Sequence, residues 1–271
     1  MSEAPLPETE MPTQIMVVSP TYNERENVPR LAAGLFALDI PNLRLLIVDD
    51  NSPDGTADVA EQLSAQYGGR IHVLRRTGPK GFAVSYLDGF QEAARLGADV
   101  IVQMDADLSH QPKHLPEMLA KLRQGYDVVI GSRYVPGGGV DVNWSPYRKF
   151  LSAWANRVYT PTLLRMPISD ATSGYRAWRT DALLSLNVET IHANGYVFLV
   201  ELIYVAYKLG CRIGESPIYF PDRQHGDSKM SSRIALEAAL RVWQILWRYR
   251  HLTPAHRKPG NLAPVEQDAI R

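Results

Sequence analysis

The chain contains a single cysteine, Cys211, in 271 residues, so no intramolecular disulfide can brace it and the fold has to rest on an apolar core. One cysteine also fits a reducing compartment. Charge of one sign is missing as well, since 29 Lys+Arg balance 29 Asp+Glu, and no global field exists to gather a nucleic acid. No nucleic-acid partner is expected, and electrostatic recognition must be local. The longest apolar run, YVFLVELIYVAY (196–207), is broken by Glu201 and falls short of the ~18–20 residues that a bilayer span requires. The N-terminal MSEAPLPETEMPTQ is acidic and carries prolines where a secretory signal would be basic and then apolar. It reads as a disordered leader over residues 1–13. Seven histidines show no HExxH spacing, and neither a GxSxG elbow nor a GxxxxGK[ST] loop is present. His110 and His225 are read as solvent-facing loop residues without a role.

What is present is a hydrophobic content of 45%, enough for one large domain. Five short runs rich in Val and Ile end at Ser19, Val48, Leu74, Met104 and Ser132, each of the length and character of a strand covered on both faces. Helical patterns lie between them, with Val28, Leu31, Leu35 and Leu38 on one face and Leu115, Met118, Leu119 and Leu122 on another. Alternation of this kind predicts an α/β fold, a mostly parallel sheet flanked by helices. The later half is less regular: helices are expected near 146–165 and 196–209, and an amphipathic helix at 232–249. The reading is therefore a leader (1–13), a catalytic domain (14–231), a C-terminal amphipathic helix packed on or beside it (232–249) and a flexible tail (250–271).

Ligands of such sheets sit beyond the carboxyl ends of the strands. There the chain places PTYNE (20–24), Asp49 and Asp50 before NSPDGT, Asp105 and Asp107 of DAD, and Ser132–Arg133. Acids at three strand ends repel one another unless a cation lies among them. Asp105 and Asp107 suit Mg²⁺ or Mn²⁺, which take one or two carboxylates and complete their shell with phosphate oxygens and water. The plainer alternative is a helix N-terminus, with Asp and Ser capping the helix that follows. Asp49 and Asp50 have a turn reading too, but a carboxylate at a strand end can also accept from a base N–H or a ribose hydroxyl, and Asp50 is favoured as a ligand. Arg133, Arg176, Arg179, Arg223 and Lys229 lie in polar loops, where cations are either solvated or pair with phosphate. Residues 241–258 carry five Lys/Arg and no acid, interleaved with Trp243, Trp247 and Tyr249, which fits either a helix at an anionic membrane surface or one packed on the core.

The ordered blocks PTYNERENV, VDDNSPDGT, MDADLSHQP, GSRYVPGGG, SDATSGYRAWR and DRQHGDSK resemble those of dolichol-phosphate (polyprenol-phosphate) mannosyltransferases, members of glycosyltransferase family 2 with a GT-A, Rossmann-like fold. The resemblance runs from about Ile15 to Arg248. It implies mannose transfer, with inversion, from GDP-mannose to a polyprenyl or dolichyl monophosphate. By motif match, Pro20, Tyr22, Glu24, Val48 and Asp50 would hold the guanosine end, while Asp105, Ala106 and Asp107 would position a divalent ion on the diphosphate. Arg133, Arg223 and Lys229 would meet phosphates, and Ser173 and Arg176 would lie near the acceptor phosphate. The chain departs from the pattern at GPKGFAVSYLDGF, where Phe82 and Val84 replace small residues, and it has no C-terminal membrane helix. A lipid-active form would then work peripherally on the cytoplasmic face of a membrane, or through a membrane-embedded partner. Two alternatives remain at this stage: a UDP-glucose-dependent polyprenyl-phosphate glucosyltransferase, and a catalytically silent subunit recruiting a membrane partner.

Overall fold

The computed structural model of the chain describes residues 14–187, 191, 195–221 and 232–259. The leader (1–13), Arg223, His225, Lys229 and the last residues of the expected tail lie outside this set. Each of the five apolar runs forms a strand: β1 (Ile15–Thr21), β2 (Leu43–Asp49), β3 (Ile71–Arg75), β4 (Val100–Gln103) and β5 (Val128–Ser132). A short β6 (Gly139–Val140) follows, then β7 (Arg176–Arg179), β8 (Ile213–Pro217) and β9 (Tyr219–Phe220). The main sheet runs β3-β2-β1-β4-β7-β5-β8, and β6 pairs with β9 apart from it. All pairings in the main sheet are parallel except those of β7, which is antiparallel to both β4 and β5.

That one reversal matters for the site. An antiparallel β7 begins at the edge where its neighbours end, so the loop before it (165–175) is delivered to the same edge as the acidic turns. Arg176 and Arg179, expected in a loop, are consequently strand residues.

Alternate strand residues enter two cores. Ile15, Val17, Leu45, Ile47, Val100 and Val102 face one side, where α1 (Asn27–Phe36), α2 (Thr56–Gln66) and α4 (Leu115–Arg123) cover them. Met16, Val18, Leu46, Ile101 and Trp178 face the other, covered by α3 (Phe82–Arg95), α7 (Thr180–Leu184), α8 (Tyr196–Lys208) and α9 (Ser232–Tyr249). This period of two is what a doubly covered sheet demands. Helix α3 packs tightly on the sheet: a Cβ added at Gly89 would stand 2.5 Å from Val18 Cγ1 and 2.8 Å from Val48 Cγ2, so only glycine fits that contact.

One feature refines the sequence reading and a second departs from it. The helical stretch after Ser145 is α5 (Pro146–Trp154), a π turn (Ala155–Tyr159) and α6 (Thr160–Leu164) in series. Residues 250–259, placed in a flexible tail, instead dock: Arg257 donates to Asp127 Oδ1 at 3.2 Å and to Ser185 Oγ at 3.2 Å, and Pro254 packs against Gly210. Glu201, the acid in the apolar run, is wholly buried, and there it accepts from Tyr249 Oη (2.7 Å) and Arg248 Nη1 (3.2 Å). The C-terminal helix supplies the partners that a buried carboxylate requires.

Candidate active site

The strand ends form one polar edge. Beyond β4, Asp105 Oδ1 accepts from the phenol of Tyr86 (α3) at 2.7 Å, and the Asp105 backbone N–H donates to His110 Nδ1 at 2.9 Å. An imidazole accepting at Nδ1 carries its proton on Nε2 when neutral. Burial, and next the charge on Asp105, push the Tyr86 phenol well above its usual value, so it stays a donor. Asp107 Oδ1 accepts from the Ser109 N–H (3.1 Å) and hydroxyl (2.5 Å), closing a turn whose intervening residue, Leu108, has φ 62°. Left-handed backbone at a leucine is costly and points to a constrained site.

The helix-cap reading of DAD does not describe what forms. Asp107 organises a turn ahead of a 3₁₀ segment (Pro112–His114), and α4 starts only at Leu115, without a side-chain cap. Asp105 and Asp107, both partly exposed at one strand end, give the hard oxygen donors that Mg²⁺ or Mn²⁺ accepts, so the residues present fit a divalent ion that is also held by phosphate.

The other acids are answered from within the protein, which corrects the picture of all three strand ends facing one cation. Asp49, buried, accepts from Thr21 Oγ1 (3.1 Å) and from Ser52 N–H (2.9 Å) and Oγ (2.6 Å), so the turn reading accounts for it. Asp50 pairs with Arg76 through Oδ1 and accepts from Gly81 N–H through Oδ2 at 2.8 Å. Among the described residues, no group of three or more His, Cys, Asp or Glu is arranged to hold a metal.

Pro20 and Val48 are register neighbours across β1 and β2, with Tyr22 half exposed above them under the ammonium of Lys80, 4.2 Å from the ring centroid. Glu24 lies at the same edge, its N–H donating to Thr56 Oγ1 and its Oε2 accepting from Asn27 Nδ2. The side chains of Val48 and Ala106 are in the core, so only their backbone can meet a ligand.

Arg133 is held rather than solvated. Its Nε and Nη2 grip both oxygens of Asp170 at 2.7 Å, its N–H donates to the same carboxylate, and Nη2 reaches Thr172 Oγ1 at 2.9 Å. Asp170 has no exposed surface, and a buried carboxylate of this kind demands a matched cation. Asn156, in the π turn, donates to the same Thr172 hydroxyl.

Ser173 and Arg176, expected at the acceptor phosphate, are both placed in the interior. Ser173 Oγ donates to Gly131 O at 2.6 Å. Arg176 is 0% exposed and donates through Nη2 to Ala171 O, and among the described residues its Nε and Nη1 have no partner, nor has the neighbouring amide of Gln103. Burial, opposed by the charge on Asp170, pulls its pKa down to about 9. As placed, neither side chain reaches the protein surface.

Four residues escaped the sequence reading: Arg76, Tyr86, His110 and Asp170. His110, read as solvent-facing, is buried and stacked on Tyr175 at a centroid distance of 5.2 Å. Its position five residues after Asp105 was the one available clue.

The sheet edge gives way on one flank to exposed apolar side chains. Tyr147, Phe150, Trp154 and Val158 stand out along α5 and the π turn, and Leu240, Trp243 and Trp247 along α9. Between these stripes lies an open groove of about 910 Å³ lined by Trp154, Val158, Leu163, Tyr204, Trp243 and Leu246, with Arg165, Lys208 and Arg250 beside it. None of the helices described is long and apolar enough to cross a membrane.

Comparison with known proteins agrees with this geometry. An undecaprenyl-phosphate mannosyltransferase from Micrococcus luteus is 42% identical over 241 residues, 88% of this chain and 97% of the relative. A polyprenol monophosphomannose synthase from Mycolicibacterium smegmatis is 42% identical over 245 residues, 89% of this chain and 91% of the relative. Among solved structures, mannosyl-3-phosphoglycerate synthase from Rubrobacter xylanophilus superposes with a TM-score of 0.61 at 19% identity, covering 88% of this chain and 74% of the other. Glucosyl-3-phosphoglycerate synthase from Mycobacterium tuberculosis, crystallised with Mn²⁺ and UDP, gives 0.60 at 19% identity over 87% and 79%. At that identity the likeness speaks for the GT-A fold alone. The family model for glycosyl transferase family 2 matches residues 16–184, and the chain belongs to that family.

Proposed function

We propose that the protein transfers mannose from GDP-mannose to a polyprenyl monophosphate with inversion, giving a β-linked mannosyl phospholipid. The observation that carries this reading is the 42% identity, over nearly the whole chain, to two relatives named for mannose transfer to such lipids. Asp105 and Asp107 would hold Mg²⁺ or Mn²⁺ against the donor diphosphate, where the ion supplies Lewis-acid stabilisation of the departing charge. Pro20, Tyr22, Glu24, Asp50 and the backbone at Val48 take the guanosine end of the donor, and the backbone at Ala106 lies with Asp105 and Asp107 at the diphosphate.

The acceptor needs no base from the protein. A phosphate monoester has a second pKa of about 6, so near neutrality it is already mostly a dianion and attacks unaided. The protein's work is to position two anions that repel each other. Arg133, fixed by Asp170, brings a cation to the end of β5, with β7 between that strand and β4, beyond which Asp105 lies, and Arg223 and Lys229, outside the described residues, are assigned to phosphates by their motif. The lipid end approaches along the flank of α5 and α9, where exposed tryptophans and basic neighbours suit the surface of an anionic membrane. On this reading the enzyme works peripherally, on the cytoplasmic face of a membrane.

The test is incubation with GDP-mannose or UDP-glucose and a short polyprenyl phosphate, with and without chelator, followed by mass and anomer analysis of the lipid. A β-mannosyl product formed only without chelator is expected. A glucosyl lipid from UDP-glucose, or a product retaining the donor's anomeric configuration, would overturn the reading.

A further inference from the structure

Arg76 has no part in the transfer outlined above, yet its guanidinium is bound at every nitrogen. The residue directly follows β3, is almost wholly buried, and its backbone N–H donates to Asp49 O at 2.9 Å. Nη1 pairs with Asp50 Oδ1 and donates to Ser85 Oγ at 3.2 Å, Nη2 donates to Pro79 O at 3.0 Å, and Nε donates to Asp88 Oδ2 at 2.7 Å. Asp50 Oδ2 meanwhile accepts from Gly81 N–H. Each oxygen of Asp50 is thus gripped by a donor from a different element, the end of β3 on one side and the N-terminus of α3 on the other, which leaves the carboxylate a single orientation.

The same guanidinium organises the segment 77–85, where Phe82 and Val84 stand in place of the small residues that the resemblance in sequence implies. Through Pro79 O and Ser85 it ties the loop 77–81 to α3, and Ser85 Oγ in turn donates to Gly81 O at 2.8 Å. Phe82, the bulky newcomer, turns away from the loop and packs edge-on against Tyr86 and Phe198, with centroids at 5.0 and 6.3 Å. The substitution therefore does not crowd Asp50.

We infer that Arg76 is the positioning residue for base recognition, holding Asp50 so that its carboxylate meets the paired N–H groups of a guanine. The inference rests on the reading that Asp50 faces the nucleoside. Guanine presents a ring N–H beside an exocyclic amine, two parallel donors that a fixed carboxylate matches. A carboxylate oxygen has two acceptor sites, so Asp50 can serve Arg76 and Gly81 while accepting from the base. Inosine lacks the exocyclic amine, which makes the ratio of GDP to IDP affinity a direct readout of that contact.

The experiment uses the full chain and its Arg76→Met, Arg76→Lys, Asp88→Asn and Asp50→Asn variants. Affinities for GDP and IDP are measured by calorimetry, and KM and kcat with GDP-mannose. Losing the charged grip on Asp50 should raise the donor KM at least about tenfold, the scale of one hydrogen bond to a charged group. It should bring the GDP/IDP ratio close to one and leave kcat within about threefold. Arg76→Lys, which retains the charge and cannot bridge Asp50, Asp88 and Pro79 together, should compress the ratio while remaining folded, so the test survives if Arg76→Met does not fold. Asp88→Asn leaves Arg76 on Asp50 and should keep the wild-type ratio. A folded Arg76→Lys with lowered Tm and an unchanged ratio would show Arg76 to be structural only, overturning the inference. If Asp50→Asn compresses the ratio and the Arg76 variants do not, the inference alone is lost. If Asp50→Asn has no effect on the ratio, the donor reading of Asp50 is lost with it.

Discussion

The polar edge of the sheet and the helical flank beside it solve opposite problems. At the edge, charged side chains are matched inside the protein: Asp170 by Arg133, Asp50 by Arg76, and Asp49 by hydroxyls and an N–H. On the flank, α5 has no buried residue, and Trp243 and Trp247 are 50% and 62% exposed. Charges fixed in place suit a reaction between anions, because donors that are already oriented need no reorganisation when charge moves. Apolar side chains left in water suit a partner that is itself apolar, since burying them there gains what folding did not. A protein that joins a water-soluble donor to a lipid needs both kinds of surface side by side.

The contrast can be broken from the polar side first. Asp170→Ala leaves the largely covered guanidinium of Arg133 without its carboxylate, and removing one partner of a buried pair typically costs about 3–5 kcal/mol. Equilibrium denaturation should show a loss of that size, together with a fall in turnover because Arg133 is no longer aimed. A loss below about 1 kcal/mol would mean that the pair is solvated in solution. Asp107→Asn is milder for the fold, since an asparagine oxygen can still accept from Ser109 in the same turn. Its effect should fall on kcat, by roughly 10²–10³-fold, the range for removing one transition-state electrostatic contact. Full activity of the variant under saturating Mg²⁺ would reduce the DAD motif to a turn.

The smallest effect is predicted for the flank. Replacing Trp243 and Trp247 together by serine should lower flotation with anionic liposomes at least about tenfold: full burial of a large apolar side chain is worth about 1.5–3 kcal/mol, and roughly half of each tryptophan is still exposed. Turnover on a short, water-soluble acceptor should stay within about twofold. Undiminished flotation would remove α9 from the membrane contact and leave the α5 stripe as the surface to test.

The residues differ in how far they could be read from sequence, and the reason is physical. Strands β1 to β5 were legible because a strand covered on both faces must be continuously apolar, and a run such as IMVVS has little else to become. β7 was not, because RAWR has two arginines in four residues, and only its placement between β4 and β5 makes a strand of it. Asp105 and Asp107 could be found because two acids so close together at the end of an apolar run are conspicuous. Arg76 could not, since it lies 26 residues from Asp50 and looks like any surface arginine. Of the adjacent Asp49 and Asp50 only the second was favoured as a ligand, and the fold did separate them: successive side chains point to opposite faces, so one met Ser52 and Thr21 and the other met Arg76. Arg176 was misread for the same cause, because a charge in a polar loop and a charge inside a sheet have the same letter.

By itself the sequence determined the alternation of strands and helices, the acidic and basic motifs at the strand ends, and the amphipathic C-terminal helix, all of which follow from periodicities of two and 3.6 along the chain. The tertiary structure decided which charges are spent on one another. Ion pairing depends on distance in space and on exclusion of water, and neither is set until β7 has reversed direction and α3 has closed over the turn after β2.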